Sequence, residues 1–242
     1  MNDISQNLPL IEQMTLAKGM TVDYVQRLYA QGPTQSLIDE GMKLGDVIFQ
    51  IVKRHDCFNL FLQQWSDYEP NFHAHPFQVA MFSMMICKSM EWDSPRSIQA
   101  IVLGALVHDI GMTKLPEEIW ETPQNKLNQA QYQIYTKHTQ WGMELLQGIS
   151  NVPEAVIQIV YQHHETSDGL GFPNELSSTK IYPLAKVVTL ADQFARTIVE
   201  KNVPPYACLP AFITDPINIK KFDSDHLKAF IKCFLKANKK KG

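Results

Sequence analysis

An all-helical fold built around one buried cluster of ionisable side chains is what this sequence predicts. Three observations carry that expectation. Apolar residues recur at spacings of 3 and 4, the period of a helix with one buried face. Helix starts and stops punctuate these stretches, among them Thr21, Ser94-Pro95, Asn128 with Gln131, and Gly148. Five of the patterns carry a histidine or an aspartate on the apolar line, where charge is costly unless it is partnered.

The bulk numbers narrow the class. A chain of 242 residues holds one large domain or two small ones. Its 45% hydrophobic content is that of a globular protein able to bury a sizeable core. A net charge of −3 and a pI near 6.2 argue against a general nucleic-acid binder. The one basic run, Lys236, Lys239, Lys240 and Lys241, reads as a solvated, frayed tail. Cys57, Cys87, Cys208 and Cys233 are scattered with no C-x-x-C pair, which argues for a reducing compartment and against disulfides or a thiolate zinc site. No leader-like segment opens the chain and no run of 18 apolar residues occurs, so the expectation is a cytoplasmic protein with no membrane insertion and no DNA partner.

Taken in order, residues 1–65 read as short helices. Thr21 is placed to cap a helix from Val22 to about Gln31, which Gly32-Pro33 stops. A longer pattern runs from about Gln35 to Arg54, weakened by Gly41 and Gly45. His55 reads as a surface residue, and nothing in this region carries chemistry. The next helix opens at His75-Pro76 and runs to about Met90. Val79, Phe82, Ile86 and Met90 form its stripe, and His75 extends it at the N-terminal end.

The helix opened by Ser94-Pro95 has lines through Ile98, Val102 and Ala105 to Asp109, and through Ile101 and Ala105 to His108. Asn128 and Gln131 form a capping-box pattern for a helix that ends at Gly148, with His138 in line with Ile134, Trp141 and Leu145. From Pro153, Val156, Ile159 and Val160 lead to His163 and His164. After Pro183, Leu184, Val188 and Ala191 lead to Asp192.

Seven groups therefore fall on buried stripes: His75, His108, Asp109, His138, His163, His164 and Asp192. A lone one reads as a satisfied core residue, but coincidence across five helices points to a shared metal site. Five imidazoles exceed what one zinc or iron takes, so two metals bridged by a carboxylate fit better, with Asp109 as the bridging candidate. Imidazole and carboxylate without thiolate suit iron, manganese or zinc. After His163-His164-Glu165 comes a polar loop, Thr166 to Pro173, whose glycines and proline can hold it close over whatever the histidines bind. Taken alone, that stretch also fits a helix C-terminus followed by a turn.

These residues in this order resemble the HD-GYP family, a bacterial group of HD metal-dependent phosphohydrolases. The likeness runs from His75 to about Asp192. It rests on His108-Asp109 in Leu-Val-His-Asp-Ile-Gly, His138 in Lys-His-Thr-Gln-Trp-Gly, the loop 163–173 and Asp192 in Leu-Ala-Asp-Gln-Phe-Ala. The resemblance implies an HD-domain helical bundle with a binuclear or trinuclear centre of iron or manganese. It implies hydrolysis of cyclic di-GMP to the linear dinucleotide or to GMP by a metal-bridging hydroxide, a reaction the ligand set suits. It also implies a guanine-nucleotide pocket at Asp168, Gly169, Gly171, Phe172 and Pro173.

Four departures accompany it. Phe172 stands where the family has a tyrosine. Met112 stands at a frequent lysine position, with Lys114 two residues further on as the candidate catalytic lysine. Asn71 replaces a glutamate of the trinuclear subgroup, which favours two divalent ions. Lys201 and Pro204 occupy the positions of a basic pair that holds phosphate, leaving Lys201 as a substrate-binding candidate.

The expected organisation is a helical region at 1–65 and an HD-GYP domain at 66–242, with a ligand-bearing core at 71–206 and a C-terminal helix and basic tail at 207–242. A cyclic-dinucleotide phosphodiesterase is the expected function. The alternatives are a non-hydrolysing module that binds cyclic di-GMP or a GGDEF-type partner, and a phosphohydrolase of another nucleotide. A homodimer is compatible with each.

Overall fold

The structure, a computed structural model, describes residues 8–54, 56–64, 72–120 and 122–238, with side chains to 235. His55, Asn71, Lys239, Lys240, Lys241 and the side chain of Lys236 lie outside the described residues. Helices supply the regular structure among those residues, together with one isolated antiparallel bridge between Asp168 and Ser177. The all-helical expectation is met.

Helix α1 spans Leu10–Gln31, α2 Gln35–Lys53 and α3 Cys57–Gln63. Then come α4 (His75–Ser89), α5 (Pro95–Val107) and a short α6 (Glu117–Trp120). They are followed by α7 (Gln129–Tyr135), α8 (His138–Gln147), α9 (Glu154–Gln162) and α10 (Pro183–Lys201). The chain closes with α11 (Pro205–Thr214), α12 (Pro216–Lys221) and α13 (Ser224–Asn238).

Helix α4 is the axis. Every residue from His75 to Cys87 is buried, so it has no polar face and must be enclosed. Helices α5, α10 and α13 enclose it, with α1 and α2 alongside. Pro76, Pro95, Pro183, Pro205 and Pro216 each sit in a first turn, where their missing N–H costs nothing. Asn202 ends α10 in the left-handed region, at φ 50°. An aromatic ladder fixes the C-terminal helices to this axis. Phe194 on α10 meets Phe82 at 5.1 Å, Phe230 at 4.8 Å and Phe212 at 5.0 Å, all edge to face. Such pairs are worth about 0.5–1.5 kcal/mol each beyond burial.

Three elements differ from the sequence expectation. Thr21 does not cap a helix: α1 starts eleven residues earlier at Leu10, and the buried Thr21 hydroxyl donates to the Ala17 carbonyl at 2.8 Å. The stretch from Asn128 is two helices, not one. The Asn128–Gln131 capping box forms, but α7 ends at Tyr135 and α8 begins at His138. The segment expected as one C-terminal helix folds as α11, α12 and α13, broken by Asp215-Pro216 and by Phe222-Asp223.

The N-terminal helices share one apolar cluster with the rest. Met14, Tyr24, Leu28, Ile38, Ile48 and Phe61 belong to the same core as Phe82, Val102 and Phe194. Helix α2 approaches α5 through its glycines. A Cβ on Gly41 would lie 2.8 Å from Leu103 Cδ1 and against the Tyr24 hydroxyl, whereas one on Gly45 would meet Val102 Cγ1 at an ordinary 3.4 Å. Gly41→Ala is therefore expected to lower the unfolding free energy by about 1–3 kcal/mol. Gly45→Ala is expected to raise it by about 0.4–1 kcal/mol. Urea denaturation of the two variants checks both signs.

Candidate metal centre

The seven predicted groups converge. His75 opens α4, and His108 and Asp109 follow the last turn of α5. His138 opens α8, His163 and His164 follow α9, and Asp192 lies in mid-α10. Two sets of ligand-type atoms lie within 4.8 Å of one another: Asp109, His138, His163 and His164, and His75, His108 and Asp192. All are buried except the half-buried His164.

Local backbone chemistry aims the rings. The Nδ1–H of His108 donates to the Ala105 carbonyl at 2.8 Å, that of His138 to Tyr135 at 2.7 Å, and that of His163 to Val160 at 2.7 Å. Each partner lies three residues back, at a helix end where carbonyls lack partners. The proton is thereby placed on Nδ1, and the Nε2 lone pair of each ring points inward.

Inside the cluster those lone pairs face other acceptors. His138 Nε2 lies 3.3 Å from His163 Nε2, and the two are 3.4 and 3.5 Å from Asp109 Oδ1. His108 Nε2 lies 3.2 Å from Asp109 Oδ2 and 3.6 Å from Asp192 Oδ1, while His75 Nε2 is 2.7 Å from Asp192 Oδ1. Among the described residues, His108 Nε2, Asp109 Oδ1 and His164 Nε2 take no hydrogen bond. Buried acceptors facing one another without hydrogens need a cation. The donor set is nitrogen and oxygen without sulfur, and suits a divalent transition metal.

The electrostatics agree. Burial pushes His138 down to about 3, and it lowers His164 and His75 as well, against the pull of Asp192 on His75. These rings are held neutral, the form that binds metal. For His108 burial opposes charge, but Asp109 and Asp192 outweigh it and raise its affinity for a proton. For Asp109 and Asp192 burial again works against ionisation. His108 and Arg196 overcome it at Asp109, and Arg196, His108 and His75 do so at Asp192, so both carboxylates are held well below their usual range. An attracted proton at His108 marks a place where a cation is favoured.

Two glycines permit this approach. A Cβ on Gly111 would clash with the backbone carbonyl of His138, and one on Gly142 would lie 2.7 Å from Val160 Cγ1. They let the turn after Asp109, the start of α8 and the end of α9 touch.

The loop 163–173 folds back over the histidines. Gly171 has no room for a side chain against the backbone of His164 to Thr166, and the Phe172 amide donates to the His164 carbonyl at 3.2 Å. Phe172 stacks on His164, with centroids 4.5 Å apart and planes at 29°. The Phe172–Pro173 bond is cis. Asp168 accepts from the Thr166 hydroxyl at 2.6 Å and the Leu170 amide at 3.2 Å, and Gly169 has φ +73°, so both shape the loop. Lys114 is exposed beside Trp141, Glu144 and Leu145, and Lys201 is exposed at the end of α10. Among the described residues, no ion pair or side-chain hydrogen bond brings either lysine to the centre.

Two residues beside the centre were not among the sequence candidates. Arg196 lies one turn beyond Asp192, and its Nη2 donates to Asp109 Oδ2 at 2.7 Å while its Nε lies 2.9 Å from both Asp192 oxygens. Its i+4 spacing from Asp192 was the available signal. Tyr29 of α1 is the second: its hydroxyl is pushed well up by burial and then by the charge of Asp109. Its ring packs edge-on to Phe72 and Trp120, each at 5.4 Å, and against the cluster that holds Tyr135, whose ring lies 4.8 Å from that of His138, so the N-terminal region reaches the rim of the centre. Glu165, which follows the histidine pair in sequence, does not reach it. It is buried and turned away from the histidines, and accepts from the Asn174 and Leu176 amides at 2.7 and 2.8 Å.

Glu165→Ala removes both acceptors, at about 1 kcal/mol for each amide. Amide exchange at Asn174 and Leu176 is expected to accelerate while α10 keeps its protection.

Comparison with known proteins places this geometry. The model of a family described as HD domain matches residues 60–205, which include all seven groups. A cyclic di-GMP phosphodiesterase of Pseudomonas aeruginosa is 28% identical over 151 residues, 62% of this chain and 36% of that protein. A cyclic di-GMP phosphodiesterase of Thermotoga maritima is 30% identical over 62% of this chain and 39% of its own length. The 3'3'-cGAMP-specific phosphodiesterase 1 of Vibrio cholerae is 34% identical over 40% of this chain and 22% of its own. The matches thus span well under half of each relative. Bd1817, an HDG"Y"P protein from Bdellovibrio bacteriovorus, shares the fold with a TM-score of 0.78 at 20% identity, over 96% of this chain and 75% of that one. No helix among the described residues is long and apolar enough to cross a membrane. With a buried His/Asp cluster suited to divalent metal, the chain belongs to the HD domain family.

Proposed function

We propose that the centre holds two divalent ions, iron or manganese, and hydrolyses a cyclic dinucleotide, cyclic di-GMP first, to the linear dinucleotide or GMP. The observation that carries this reading is the Asp109 carboxylate. One oxygen faces His138 and His163 and the other faces His108, so a single carboxylate lies between the two ligand groups. His138, His163 and His164 would hold one ion with Asp109, and His75, His108 and Asp192 the other.

When bound, such a pair lowers the pKa of water and offsets charge on a phosphoryl group. The chain's own residues do the rest. Neutral imidazoles fixed through Nδ1 keep the ligand geometry without reorganisation. Phe172, stacked on His164, holds the loop 168–173 over the centre, and we assign substrate contact to Asp168, Gly169, Gly171, Phe172 and Pro173 on that basis. Lys114 and Lys201 remain candidates only if substrate draws these exposed chains inward.

The relatives' names support a cyclic dinucleotide and include both cyclic di-GMP and 3'3'-cGAMP. A signalling nucleotide of this class fits a cytoplasmic setting, with a GGDEF-type cyclase or a second copy of the chain as partner. The division at 1–65 and 66–242 is kept as a functional one, the first part supplying Tyr29 to the rim. A second reading, a module that binds metal and nucleotide without turnover, is favoured by the exposed positions of Lys114 and Lys201.

The test is anaerobic purification, metal analysis, and chromatography after incubation with cyclic di-GMP or 3'3'-cGAMP under Fe²⁺ or Mn²⁺. Linear dinucleotide or GMP is expected, with Asp109→Ala losing metal and at least about a hundredfold in rate. Full metal with no product under either ion would replace the enzyme by the binding module.

A further inference from the structure

Arg196 is a cation that the chain itself places in the centre, and its placement is lopsided. Its Nη2–H donates to Asp109 Oδ2 at 2.7 Å, and its Nε lies 2.9 Å from both oxygens of Asp192. Those oxygens belong to the side occupied by His75 and His108, since Asp192 Oδ1 is 2.7 Å from His75 and Asp109 Oδ2 is 3.2 Å from His108. The remaining Asp109 oxygen, Oδ1, faces His138 and His163 and takes no hydrogen bond among the described residues. The guanidinium therefore covers both Asp192 oxygens and the Asp109 oxygen on the His108 side, and leaves the Asp109 oxygen that faces His138 and His163 open.

We propose that Arg196 guards the His75–His108–Asp192 group, so that divalent ions load in order, first at Asp109, His138, His163 and His164 and then, against the guanidinium, at the second group. The inference rests on the two-ion reading above. Charge and geometry both require the competition. Asp192 has its two oxygens committed to Arg196 and His75, and an ion at that group must take at least one of them. A guanidinium gripping carboxylates in low dielectric is held by charge-assisted hydrogen bonds and repels a second cation nearby. Its side chain is 20% exposed, so it has a path to swing toward solvent when displaced. Metal is then retained by the two groups with unequal strength, and the second site responds to the concentration of free ion.

The test is calorimetric titration of the metal-stripped full chain with Mn²⁺, with the metal-to-protein ratio measured after desalting. The wild type is expected to show one tighter and one weaker site. In Arg196→Gln the weaker site tightens by about tenfold or more while the tighter one changes by less than about threefold. Metal retained on desalting rises accordingly. Arg196→Lys keeps a charge that cannot span both carboxylates, and is expected to fall between the two. If the glutamine variant does not fold, the lysine variant decides alone, and equality with wild type overturns the proposal. It is also overturned by two equal sites in the wild type, or by weaker second-site binding in Arg196→Gln. Mn²⁺ binding with either pattern leaves the metal reading standing, whereas no binding to the wild type removes both.

Discussion

Burial of opposed lone pairs is the constraint on which this molecule turns. Three imidazole nitrogens and the oxygens of two carboxylates point at one another within a few ångströms, in an interior with little water to screen them. Left so, they repel and pay for lost solvation. Protons answer this only in part, because burial holds His75, His138 and His164 neutral while His108 is drawn the other way. A cation answers it fully. Arg196 is the cation the chain supplies itself, and divalent ions suit the atoms it does not reach.

The scaffold serves that constraint. A helix buried on all sides places His75, α5 and α10 packed on it place His108, Asp109 and Asp192, and α9 and α8, packed on those in turn, bring in His138, His163 and His164. Backbone carbonyls at three helix ends take the outer ring nitrogens, so the last turn of each helix is capped by the side chain it presents. Phe194, two residues beyond Asp192, points into the aromatic ladder and fixes the rotation of α10. Stability and site geometry are thus set by the same contacts.

The convergence of these seven side chains was legible because they interrupt a pattern. His138 or Asp192 on an apolar stripe contradicts the burial rule, and contradiction repeated across helices has few explanations. Punctuation was legible where side chains make it: the Asn128–Gln131 box and the proline starts are in place. It failed where packing decides. Thr21 has the right chemistry for a cap, yet its hydroxyl bonds back to Ala17 inside a longer helix. The break between Tyr135 and His138 carries no glycine or proline, and comes from the demand that His138 start a helix against Gly111. Arg196 and Tyr29 were harder to read, because part of their role depends on a residue distant in sequence, Asp109, at 87 positions from Arg196.

In the proposed two-ion centre the two sites adjoin and share Asp109. Crystals grown with excess Mn²⁺ and measured for its anomalous scattering test it most directly. Two peaks are expected, one within bonding distance of Asp109, His138, His163 and His164 and one at His75, His108 and Asp192. No peak within the cluster, or manganese bound only at surface carboxylates, would contradict it.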